Sequence, residues 1–167
     1  MLRRGSGRPH DLSVARNYAS PDRKAYVGIR KSHHSAHKMD FHIVMATKAR
    51  KPFFRDERIA DFVLCFILEI CQKEGYIPLA LSVQPDHVHM FLGLEPKHSI
   101  SEVVKRIKAV VAQELSKRER LEGGIWAHGY YVESLGFKNP GQIKAYIDRQ
   151  SEHHAPEGLE DLSETPE

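Results

Sequence analysis

Gln84-Pro85-Asp86-His87-Val88-His89-Met90-Phe91-Leu92 is the stretch on which the fold turns. Gln84-Pro85-Asp86 has turn chemistry, and the residues after it alternate as a strand does. Side chains of an extended chain point to opposite faces in turn, so His87 and His89 share one face while Val88, Met90 and Leu92 share the other. Two imidazoles at i and i+2 can hold one metal ion while the aliphatic face packs into a core. The same tripeptide fits a pair of partly exposed or hydrogen-bonded histidines, so its meaning depends on the rest of the chain. Asp86 either tunes a histidine or makes the turn, and the turn is the simpler reading.

Composition sets the frame around that strand. The 167 residues suit one domain with tails, and 41% hydrophobic with 28% charged residues is ordinary for a globular protein. No apolar run approaches the roughly 18 residues of a membrane span, and the basic start Met1 to Pro9 is not followed by the apolar stretch of a secretory signal. A soluble, cytoplasmic protein is expected. Cys65 and Cys71 share one apolar helical segment, where buried thiols are expected rather than a disulfide or a zinc site. The net charge is only +3, but Lys and Arg gather in residues 1–55 and 105–120 while the end is acidic. That distribution suits a polyanionic partner and equally suits solvated faces with disordered ends.

Residues 1–35 form a flexible basic arm, 36–154 the folded domain, and 155–167 an acidic tail. Phe41-His42-Ile43-Val44-Met45-Ala46 is a strand, ended by the basic loop Lys48-Ala49-Arg50-Lys51-Pro52. A helix capped by Asp56 carries Ile59, Phe62, Val63, Phe66, Ile67 and Ile70 at helical spacing, and Gly75 stops it. Leu79 to Val83 is a second strand, which forms a hairpin with the histidine strand. Ser99 and Glu102 have capping-box spacing and open a second helix, with Val103, Val104, Ile107, Val110, Val111 and Leu115 as its apolar stripe. Residues 125–134 are aromatic and β-prone, a fourth strand. Asn139-Pro140-Gly141-Gln142 signals one more helix.

This order implies an α+β fold: a ferredoxin-like or RRM-like antiparallel sheet with helices on one face, plus a C-terminal helix carrying a tyrosine. The helices cover Val88, Met90 and Leu92, so His87 and His89 are expected on the opposite, more open face. On the last helix Tyr146 and Gln150 lie four residues apart on one edge, with Gln142 and His153 near the same line. Taken alone, that tyrosine reads as a packing residue beside the stripe of Ile143 and Ile147.

Three stretches together carry a resemblance: Pro85-Asp86-His87-Val88-His89, then Trp126 with Gly129-Tyr130-Tyr131-Val132-Glu133-Ser134-Leu135-Gly136, then Tyr146-Ile147-Asp148-Arg149-Gln150. Their order and spacing resemble the single-tyrosine HUH transposases of the insertion-sequence-200/605 family, over roughly His34 to His153. Phe41-His42-Ile43-Val44 with Lys48 and Arg50 is similar to the family's first strand and basic loop. Met45 stands where an aromatic is more usual, the tail beyond Gln150 is short and acidic, and the amino-terminal arm is long.

The resemblance implies that His87 and His89 hold a divalent cation, completed by the side-chain oxygen of Gln150, and that Tyr146 is the nucleophile. Mg²⁺ or Mn²⁺ suits such a donor set, although imidazoles also accept Zn²⁺ or Ni²⁺. It further implies single-stranded DNA with hairpins as substrate, a 5′-phosphotyrosine intermediate, and a homodimer whose tyrosine helices can complete the partner's histidine site. A phenol of pKa about 10 needs help to ionise. Metal proximity could supply it, or His153, which reads better as part of a polar helix end. Lys48, Arg50, Lys105 and Lys108 are candidates for contacts to the DNA backbone. Two alternatives stand beside this: a domesticated relative acting on repeated palindromes of the host genome, and a non-catalytic RRM-like nucleic-acid-binding module.

Overall fold

A computed structural model describes residues 17–21, 29–119, 121, 123–136, 142 and 145. Its strands and helices in chain order are β1 (Asn17–Ala19), β2 (Arg30–Lys31), β3 (Ala36–His37), β4 (Met39–Ala46), α1 (Glu57–Glu74), β5 (Ile77–Gln84), β6 (His87–Leu94), α2 (Ile100–Arg118) and β7 (Tyr131–Ser134). β1, β5, β6, β4 and β7 lie in that order in one sheet, every neighbouring pair antiparallel. The run β4-α1-β5-β6-α2-β7 with this order is the ferredoxin-like arrangement expected from the sequence. Among the described residues no helix is long and apolar enough to cross a membrane.

The first helix begins and ends where its sequence signals lie. The Asp56 side chain accepts from the Arg58 backbone N–H, satisfying a donor that the first turn leaves open, and Gly75 closes the helix in the left-handed conformation at φ 77°. Ser99 occupies the N-cap of α2, but the expected capping box does not form; its hydroxyl pairs with that of Ser101 at 2.8 Å. Both helices lie on one face of the sheet, where Val63, Ile67, Ile107 and Val111 pack with Ile43, Met45, Leu81, Val83, Val88, Met90 and Leu92. Cys71 belongs to this core and burial pushes its thiol up to about 12, whereas Cys65 turns outward and is exposed. The expectation of two buried thiols therefore holds for one of them.

Two further expectations change. Strand structure reaches into the segment read as an arm: Asn17–Ala19 pairs with Ser82–Ala80 as an edge strand, and β2, also in that segment, forms a small hairpin with β3 just beyond it. The fourth strand is broken. Trp126 makes an isolated bridge with Thr47, and the ladder with β4 resumes only at Tyr131. At the break the Lys108 ammonium takes up the carbonyls of Ala127, Gly129 and His128 at 2.7, 2.8 and 3.3 Å. The C-terminal helix falls mostly outside the described residues; within them, Gln142 and Ala145 have helical backbone.

Candidate functional site

Register places the histidines. Across the central pair, His89 lies opposite Val44 and Phe91 opposite His42, so His42, His87 and His89 all project from the face away from the helices. The face is as expected but it is not open: His89 and His42 are each 1% exposed and His87 is 6% exposed. The cause is a stack of rings. His42 lies parallel to Phe91 at 4.5 Å between centroids and nearly parallel to His89 at 5.2 Å, with Tyr131 against its edge at 5.9 Å.

Each proposed ligand ring is gripped at Nδ1. The His87 Nδ1 lies 2.6 Å from Asp86 Oδ1, and since a carboxylate can only accept, that nitrogen carries the proton. The His89 Nδ1 lies 2.9 Å from His42 Nε2. Both Nε2 atoms are buried and, among the described residues, have no hydrogen-bond partner. Burial pulls the pKa of His87 below its ordinary value despite the Asp86 hydrogen bond, which acts the other way. Burial, followed by the charges of His87, His42 and Arg50, pushes His89 down to about 2. Both rings are therefore neutral at physiological pH; the His87 Nε2 holds its lone pair free, and the His89 Nε2 does so in the tautomer whose Nδ1 donates to His42. The ring centroids are 4.8 Å apart. This donor set fits a divalent cation, because a buried nitrogen lone pair without a partner is costly and a metal removes that cost. Among the described residues no third His, Cys, Asp or Glu completes a metal group with them.

Asp86 does more than make the turn favoured for it. Its Oδ2 accepts from Arg50 Nε at 2.9 Å while Oδ1 holds His87. A carboxylate behind a ligating imidazole fixes the tautomer and raises ligand basicity. His42 is the site residue that motif spacing does not reveal; its signal in the sequence is the alternation along the first strand, which puts His42 and Val44 on one face.

The remaining candidates separate. Lys48 is exposed, with Nζ 3.2 Å from the Gly123 carbonyl. Lys105 is exposed beside a groove of about 500 Å³ that Trp126, His128 and Tyr130 also line. Lys108, expected on the nucleic-acid face, is half-buried among the loop carbonyls, and burial lowers it to about 8. Its carbonyl oxygen also accepts from Trp126 Nε1 at 3.1 Å, so Lys108 serves the loop rather than a solvent-facing patch. Tyr146, Gln150 and His153 lie outside the described residues.

Known proteins agree with the resemblance in the sequence. The family described as IS200-like transposase matches residues 35–150. The ISDra2 transposase TnpA of Deinococcus radiodurans is 26% identical over 128 residues, covering 73% of this chain and 91% of its own. The transposase of insertion sequence element IS200 from Salmonella typhimurium is 29% identical over 125 residues, covering 71% and 81%. A crystal structure of a candidate transposase from Deinococcus radiodurans R1 superposes with a TM-score of 0.59 at 30% identity, over 72% of this chain and 97% of that one. The match spans the histidine strand, the broken fourth strand and the tyrosine motif together, and the chain belongs to the IS200-like transposase family.

Proposed function

We propose that this transposase cleaves and rejoins single-stranded DNA at hairpin-bearing element ends, with Tyr146 as nucleophile and His87, His89 and Gln150 as ligands of Mg²⁺ or Mn²⁺. The observation that carries the reading is the pair of buried imidazole nitrogens, neutral and without hydrogen-bond partners among the described residues. A non-catalytic RRM-like module would have no use for such a pair. When bound, the cation would offset charge on a non-bridging phosphate oxygen and orient the scissile bond.

The chain's own residues do the rest. Asp86 and His42 hold the two rings by Nδ1. The Tyr146 oxygen forms a bond to phosphorus as the bond from phosphorus to the 3′-oxygen breaks. The phenolic proton departs, and the 3′-oxygen gains one to become a hydroxyl. The 5′-phosphotyrosine conserves the bond energy, so the 3′-hydroxyl of another strand reverses the step and joins DNA without ATP. Lys48 and Lys105 would contact the DNA backbone. A homodimer is part of the proposal, with each tyrosine helix able to serve either subunit's histidines.

Incubating the purified protein with Mn²⁺ and single-stranded DNA from the flanks of its own gene should give a covalent adduct that survives denaturation. Tyr146→Phe should abolish it and His89→Ala should reduce it at least 100-fold, the scale of losing an electrostatic contact in a transition state. No adduct with the wild type would sink the reading, and an adduct persisting in Tyr146→Phe would move the nucleophile elsewhere.

A further inference from the structure

Arg50 enters the sequence as one cation of a basic loop, yet its position is fixed and energetically costly. Ala49 and Arg50 both have φ of 52°. Lys51 N–H donates to the Lys48 carbonyl at 3.2 Å, so the two form the centre of a turn of the I′ kind, whose usual residues are Asn and Gly. Each non-glycine residue held left-handed costs roughly 1–2 kcal/mol. The turn is tied down on both sides: Thr47 N–H donates to the Asp86 carbonyl at 2.9 Å, and Lys48 N–H to that of Ile125 at 2.8 Å. The Thr47 hydroxyl lies 2.7 Å from the Lys51 carbonyl and 3.0 Å from that of Asp86. What this strained turn delivers is Arg50 Nε on Asp86 Oδ2, on the same carboxylate whose other oxygen grips His87. Backbone strain of this kind collects where function requires it.

Nε is thus engaged, but Nη1 is buried and, among the described residues, has no hydrogen-bond partner, as is true of Nε2 on His87 and His89. The Arg50 charge is close enough to bear on both rings. These three atoms call for opposite things. Imidazole lone pairs need a cation, whereas a guanidinium N–H needs an acceptor. A cation alone would leave Arg50 unsatisfied and facing a like charge; an anion alone would confront the lone pairs. A cation carrying a phosphodiester oxygen satisfies all three. We infer that Arg50 is a catalytic residue whose Nη1 donates to a non-bridging oxygen of the scissile phosphodiester, beside the cation held by His87 and His89. The inference rests on the proposed function and narrows Arg50 from a general backbone contact to the reacting phosphate.

The test compares Arg50→Lys and Arg50→Gly, the latter suited to the left-handed turn, with Lys105→Ala. Mn²⁺ affinity is measured without DNA, and adduct formation is followed on oligonucleotides bearing a normal or a methylphosphonate linkage at the cleavage position. Losing the donor should slow adduct formation roughly 100-fold in both Arg50 variants, while Mn²⁺ affinity stays within about two-fold, well short of the loss seen when a group holding a metal ligand is removed. The deficit should shrink below about ten-fold on methylphosphonate, which lacks the charge that the guanidinium offsets. Lys105→Ala should show no such dependence on the linkage. Wild-type rates in the Arg50 variants would overturn the inference while leaving Tyr146 as nucleophile. Loss of Mn²⁺ affinity matching that of Asp86→Asn, with an unchanged deficit on methylphosphonate, would make Arg50 a prop for His87 and equally overturn it. If the wild type itself forms no adduct, the proposed function falls and takes this inference with it.

Discussion

His42 shows how much a metal site depends on residues that never touch the metal. For His89 Nε2 to offer a lone pair, its Nδ1 must carry the proton and His42 Nε2 must accept it at 2.9 Å. His42 is in turn stacked on the Phe91 ring at 4.5 Å and lies across from Glu133 on the next strand, so the tautomer and tilt of the ligand depend on a ring that its own neighbours hold in place. His42→Phe preserves the stack and removes the acceptor, leaving His89 Nδ1 buried without its partner. We expect Mn²⁺ affinity to fall about 10- to 100-fold, the usual scale for such supporting residues, with the fold retained by circular dichroism. Unchanged affinity in a titration followed by Mn²⁺ electron paramagnetic resonance would show that the bond does not orient His89.

At the scale of elements, sequence periodicity carried most of the fold. The alternation through Val88, Met90 and Leu92 placed the core face, and Asp56 and Gly75 bounded the first helix, because these signals act within a few residues of the chain. Contacts made across the sheet left no such mark. Arg30, in a segment read as an arm, donates to Asp40 at 2.6 Å and to the Met39 carbonyl at 3.0 Å. Its guanidinium lies over Gly93, where a Cβ would come within 2.8 Å of Nη1. Nothing in the string of residues joins Arg30 to Gly93, so neither the β2–β3 hairpin nor its docking was legible. The burial of the histidines was likewise hidden, since it comes from His42, Phe91 and Tyr131 meeting on three strands. Gly93→Ala must displace the Arg30 guanidinium, and a displacement that breaks its pair with Asp40, which is 5% exposed, should destabilise the protein by roughly 1–3 kcal/mol, the cost of a buried polar group losing its partner. An unchanged midpoint in urea would mean that Arg30 swings aside freely.

Over the whole molecule, the sheet separates two interiors of opposite chemistry. The helix side is built of aliphatic and aromatic side chains, whereas the other side buries neutral imidazoles. In the unfolded chain an imidazole takes its proton near 6.5, but folded His89 does so only near about 2, and folded His87 also lies below its ordinary value. Between those limits the unfolded state binds more protons than the folded one. The stability present above 6.5 is therefore lost as the pH falls through that window, by about 1.4 kcal/mol per pH unit for His89, with His87 acting in the same direction. A divalent cation on the two Nε2 atoms binds the folded state alone and should oppose this loss by mass action. Urea unfolding in a chelator at pH 7.5 and 5.5 should show a drop that is smaller in His89→Gln, and saturating Mn²⁺ should raise the wild-type midpoint but not that of the variant. An equal drop in both proteins would mean that His89 takes up its proton in the folded state as readily as in the unfolded one, and the buried neutral pair would then be the wrong account of this face.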